Sequence, residues 1–95
     1  MAEIILTQSA SQDLIDIETY ISEHSPSKAQ ELVNKLLNRV TLLETFPQIG
    51  SQVPEFDNED LRQLIEGNYR ILYRIASAEI VFVLRFIHTK RKLEL

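Results

Sequence analysis

Seven basic side chains crowd the last third of this 95-residue chain: Arg62, Arg70, Arg74, Arg85, Lys90, Arg91 and Lys92. Only Glu66, Glu79 and Glu94 oppose them there, a net of +4, whereas residues 1–60 carry three basic and eleven acidic side chains, a net of −8. Clustered charge focuses potential and steers oppositely charged partners, so the C-terminal third is the candidate site for an anion. Arginine suits that task because its planar guanidinium grips a phosphate or carboxylate with two parallel hydrogen bonds. His88 ends the same stretch. It has no metal-ligand spacing to His24, and cysteine is absent. Thiolate chemistry and disulfides are therefore excluded, and no metal or cofactor is expected.

Three strands should carry these residues: Leu61–Ile65, Tyr69–Ala76 and Ile80–His88, punctuated by Gly67-Asn68 and Ser77-Ala78. If Ser77-Ala78 is a two-residue turn, Ile75 faces Ile80, Tyr73 faces Phe82, Ile71 faces Leu84 and Tyr69 faces Phe86, all on the core side. The other side then sets Arg74 beside Val81, Leu72 beside Val83, and Arg70 directly across from Arg85. Like charges opposed on a sheet are destabilising, so the pair makes sense with an anion between the two forks. The alternative is a separate carboxylate for each arginine, for example from the acidic residues at 55–60. A three-residue Glu66-Gly67-Asn68 turn adds Arg62 to the same face; a two-residue turn would send it coreward at a desolvation cost, so three residues are expected. By alternation His88 continues the Phe82, Leu84, Phe86 face, which leaves a core-edge histidine as the other reading.

Upstream, Ile4-Ile5-Leu6 reads as a short buried strand, and Ser9 with Gln12 reads as a capping box opening a helix that runs to about His24. Ser25-Pro26 starts a second helix, with Ala29, Leu32, Val33, Leu36, Leu37, Val40 and Leu43 on one apolar stripe. It should end at Phe46-Pro47, because the residue before proline is pushed out of helical geometry. Residues 47–60 read as an acidic loop. The expected architecture is α+β, in the order β-α-α-β-β-β, with a helical hairpin on one face of a small antiparallel sheet and one domain over residues 1–95. The chain has no run of roughly 20 apolar residues and no basic region opening a leader, so a cytoplasmic location without membrane contact is expected.

Ile4-Ile5-Leu6-Thr7 followed by Asp13, Leu14, Ile17, Tyr20 and Ile21, then Phe46-Pro47-Gln48-Ile49-Gly50, resembles the RelE/ParE toxin superfamily. Leu61-Arg62, the run Asn68–Arg74, and Val83–His88 with Lys90-Arg91 extend the resemblance over nearly the whole chain in the right order. It implies the toxin of a bacterial type II toxin–antitoxin, or plasmid stabilisation, system, bound by a cognate antitoxin in a hetero-oligomer. The antitoxin is expected along the helical hairpin and a sheet edge, where strand addition is available. ParE-side members poison DNA gyrase, and RelE-side members cleave messenger RNA on the ribosome. The ending Ile87-His88-Thr89-Lys90-Arg91 looks more like the ParE branch.

As a gyrase inhibitor the chain would be no enzyme, with Arg62, Arg70, Arg74, Arg85, Lys90 and Arg91 as target-binding cations. As an mRNA interferase it would be a metal-independent ribonuclease with Arg70, Arg85 and His88 as catalytic residues. Such cleavage needs a proton acceptor, a proton donor and cations for the phosphorane. Residues 47–60 hold no lysine or arginine and no tyrosine follows Tyr73, which leaves that set half complete. An inactive antitoxin-binding relative is the third reading.

Overall fold

The computed structural model describes residues 1–93. Its elements are β1 (Glu3–Leu6), α1 (Gln8–Ser22), α2 (Pro26–Leu42), β2 (Ser51–Gln52), β3 (Leu61–Glu66), β4 (Tyr69–Ile75) and β5 (Ile80–His88). The strands form one sheet in the order β1-β5-β4-β3-β2, with the helical hairpin on one face. The α+β class and the packing of the hairpin agree with the sequence. The sheet is mixed rather than wholly antiparallel, because β1 runs parallel to β5, and the short β2 is an added edge strand.

Local chemistry explains the helix boundaries. Thr7 leaves β1 in extended geometry and caps α1, its Oγ1 accepting the Ala10 N–H at 3.1 Å. The same hydroxyl donates to the Leu84 carbonyl at 3.0 Å, and the Thr7 N–H donates to the Val83 carbonyl at 3.0 Å. The expected Ser9 cap is thus replaced by a residue that β5 already holds, and the helix starts earlier. Ser25 caps α2 through its Oγ, which accepts the Lys28 N–H, and Pro26 occupies the first turn as expected. The α2 helix ends at Leu42, short of Phe46-Pro47.

Ala29, Val33, Leu36 and Val40 point from α2 into the interior, and Leu36 and Val40 meet Leu64, Ile71, Tyr73, Val81, Val83 and Phe86 of the sheet. Two details of register depart from the expectation. Ile75 pairs with Val81 rather than Ile80, so the β4–β5 turn is one residue longer than Ser77-Ala78. A bulge then falls on β5: Tyr73 pairs with Val83 and Leu72 with Arg85, leaving Leu84 as the extra residue. A one-residue slip exchanges the faces of a strand. Val81 and Val83 therefore face the helices in place of Phe82 and Leu84, whereas Phe86 and His88, beyond the bulge, keep the inward side.

The other face of the sheet is also partly covered. Val53, Leu61, Leu72 and Ile87 form a second buried cluster, with Leu84 and Leu93 against it. Val53 comes from the acidic loop, so that loop folds onto the sheet.

Candidate functional site

Arg70 lies on this second face. It pairs across the ladder with Ile87, not with Arg85, and alternation puts it beside Leu72. Only 11% of its side chain is exposed. Every edge of its fork is used: Nε donates to Gln63 Oε1 at 2.8 Å, and Nη1 and Nη2 donate to the two Glu55 carboxylate oxygens at 2.8 and 2.9 Å. This is the bidentate geometry arginine is built for. The bonds from Arg70 pull the Glu55 carboxyl below its ordinary value.

Arg85 takes a different acid on a different element. Its Nε and Nη2 donate to Asp13 of α1 at 2.7 and 3.0 Å, and the Phe86 N–H donates to the same carboxylate at 3.0 Å. The cause is topological. β1 ends at Leu6 opposite Val83, so beyond the bulge the outer edge of β5 has no strand beside it, and Asp13 fills the gap. Hydrogen bonding to Asp13 raises the Arg85 pKa further. The two register shifts cancel in parity, so Arg70 and Arg85 keep a common face as expected, but Arg85 moves opposite Leu72. The expected anion shared between them is corrected: each arginine holds its own carboxylate.

Arg62 also changes side. Glu66 pairs with Tyr69, so the Gly67-Asn68 turn has two residues, and Gly67 takes the positive φ of 57° such a turn favours. Arg62 thus pairs with Tyr73 and faces the helix side. The burial that argued against this position is offset in part by the Gly50 carbonyl, which accepts from Nη1 at 2.9 Å, while the buried Nε has no hydrogen-bond partner among the described residues. Arg74 is exposed, its guanidinium 5.2 Å from the centre of the Phe82 ring. Lys90 and Arg91 are exposed in the turn after β5, and Arg91 and Lys92 border a small pocket with Arg85 and Ile87.

His88 lies on the face opposite Arg70, in a cleft of about 370 Å³ shared with Asp13, Asp16, Ile17, Tyr20, Tyr69, Phe86 and Arg91. Its ring meets Tyr69 edge to face at 5.3 Å, and its Nδ1 accepts the Lys90 N–H at 3.1 Å. Burial raises the Tyr69 phenol, with the neighbouring Tyr20 adding to it. Arg85 shares the outer face with Arg70 but turns to Asp13, whereas His88 pairs with Tyr69 on the helix side, so the trio a nuclease would need together is not assembled. Glu55 is one of the acidic residues at 55–60 that the alternative reading offered as an arginine partner, whereas Asp13 and Gln63 were given no such role from the sequence. An acid lying 72 residues from its arginine, as Asp13 does from Arg85, leaves no spacing signal.

No helix among the described residues is long and apolar enough to cross a membrane. No curated protein sequence matches the chain. Among solved structures it is similar to one described as the chromosomal ParDE TA system from P. aeruginosa, with a TM-score of 0.76 at 22% identity, over 95% of this chain and 98% of that one. At that identity the likeness speaks for the fold. The family model for the ParE toxin of the type II toxin–antitoxin system parDE matches residues 4–93. Since that match spans almost all of β1 to β5 and both helices, the chain belongs to the ParE toxin family.

Proposed function

We propose that this chain is a growth-inhibiting toxin domain over residues 1–95. It acts in the cytoplasm by binding DNA gyrase, is neutralised by a cognate antitoxin in a hetero-oligomer, and in that pairing serves to stabilise a replicon. The observation that carries the choice of a binding mechanism is the separation of Arg70, Arg85 and His88. General acid–base cleavage of RNA requires these groups within hydrogen-bond reach of one phosphate. Here two of the three are committed to internal carboxylates, and His88 sits across the sheet from Arg70. The exposed cations Arg74, Lys90 and Arg91 are then the target contacts. Arg70 and Arg85 shape the surface from which they project, and Arg62 supports it from the helix side.

The test is induced expression in a bacterial host. The gyrase reading predicts growth arrest with an SOS-type DNA-damage response and intact transcripts, relieved by the antitoxin. Cleaved messages, lost on His88→Ala, would replace it with the ribonuclease reading, and unimpaired growth would leave an inactive antitoxin-binding relative.

A further inference from the structure

Besides backbone bonds from the Val53 N–H to the Leu61 carbonyl and from the Ile75 N–H to the Asp60 carbonyl, the loop between β2 and β3 makes two side-chain contacts of unlike chemistry with the outer face of the sheet. Val53 is fully buried against Leu61, Leu72 and Ile87. Two residues later Glu55 fills the Arg70 fork, while Gln63 holds the remaining N–H of that guanidinium. Pro54 separates them with a fixed φ. Residues 54 to 60 are all exposed, Glu55 included, and much of the loop's remaining bonding is local. Phe56 N–H donates to the Val53 carbonyl, Leu61 N–H to the Asn58 carbonyl, and Asp60 N–H to Asn58 Oδ1. An apolar slot beside a buried, preoriented arginine has the form of a peptide site, in which a hydrophobic anchor supplies affinity and a bidentate ion pair sets register.

We propose that this face is a binding site for an extended acidic peptide segment of a partner protein, with an apolar residue two positions before a carboxylate, and that Val53-Pro54-Glu55 occupies the site in the isolated chain. Charge complementarity selects that occupant. Arg70 lies at the slot, Arg74 is exposed on the same face, and Glu55 is the one described side chain that forms an ion pair with either of them. Neither anchor belongs to the helix-side core of Leu36, Ile71 and Tyr73, so exchange of the segment leaves that core in place. A tethered occupant competes at an effective concentration of about millimolar, so a free peptide binds measurably only when the internal carboxylate is weakened.

The proposal does not depend on the identity of the toxin's target, and its test uses the full chain. A labelled peptide copying residues 51–57 is titrated by fluorescence polarisation into the wild type, Glu55→Gln and Glu55→Gln/Arg70→Gln. The expected result is at least tenfold tighter binding to Glu55→Gln than to the wild type. That gain should be lost in the double variant and lost again when the peptide's own glutamate is replaced by glutamine. The last comparison uses a single folded protein, so it holds if the double variant fails to fold. Equal binding to wild type and Glu55→Gln, or binding indifferent to the peptide's carboxylate, overturns the proposal. Inorganic phosphate binding to Glu55→Gln where the peptide does not bind would overturn it equally, and would mark the fork as a phosphate site.

Discussion

Asp13 on α1 accepts two hydrogen bonds from the Arg85 guanidinium and a third from the Phe86 backbone, and so closes the edge of β5 where β1 has run out. A single carboxylate thereby does the work of a missing strand, and it fixes α1 against the bulge that Thr7 also holds. Asp13→Ala should cost about 2–3 kcal/mol, since it removes the acceptor of two charge-assisted hydrogen bonds and of a backbone N–H. Asp13→Asn should cost less, because its amide oxygen still accepts one bond. Urea unfolding of the three proteins measures the difference, and equal midpoints would contradict this role.

The approach of the β2 loop to β4 sets a second constraint. The Gly50 N–H donates to the Tyr73 hydroxyl oxygen at 2.9 Å inside the core, and burial raises that phenol's pKa. A β-carbon at position 50 would lie 2.5 Å from the Gln63 carbonyl oxygen and 2.6 Å from the Tyr73 hydroxyl. Gly50→Ala must therefore push the loop off the sheet, and a loss of about 2 kcal/mol or more is expected. Tyr73→Phe only orphans the N–H and should cost about 1–2 kcal/mol. Thermal unfolding ranks the two, and a harmless Gly50→Ala would refute the close approach.

Acid should release the loop before it unfolds the sheet. The Glu55 pKa is depressed in the fold from its ordinary 4.5, first by the hydrogen bonds from Arg70. A depressed carboxylate contributes stability that is present above the unfolded pKa and lost as pH falls through the folded pKa beneath it. Loop protection should accordingly hold at neutral pH and fade below about 4.5. Amide exchange of residues 53–57, compared between wild type and Glu55→Gln, reports it. The variant should show fast exchange at neutral pH and a flatter response to acid, and identical profiles would deny the ion pair its anchoring role.

These residues also show where sequence reading succeeds and where it stops. The α2 stripe and the Ser25-Pro26 start were legible because 3.6-residue periodicity and capping are local. All three strands of the C-terminal sheet were legible from alternation and turn residues. The face of each side chain was not, since one extra turn residue and the bulge at Leu84 each reverse parity without altering composition. The anion chemistry of Arg70 and Arg85 was readable from residue type alone. The acidic residues at 55–60 were readable as a source of a partner, which Glu55 is, but Asp13 was not, because it reaches Arg85 through the tertiary fold.

Arg74 is the cation whose loss should separate function from folding. It is exposed, and its guanidinium lies over the ring of Phe82, a contact worth about 0.5–1 kcal/mol at a surface. Arg74→Glu should leave the unfolding midpoint within that range while weakening target inhibition at least tenfold, roughly 1.4 kcal/mol of binding. Dose–response curves set beside melting curves decide it. Undiminished inhibition would remove Arg74 from the contact surface.

DNA supercoiling by purified gyrase, titrated with this protein at micromolar concentration, tests the central claim most directly. The account predicts dose-dependent loss of supercoiling that the cognate antitoxin restores, with messenger RNA on translating ribosomes left intact. Full supercoiling throughout the titration, together with messages cut on the ribosome, would contradict it.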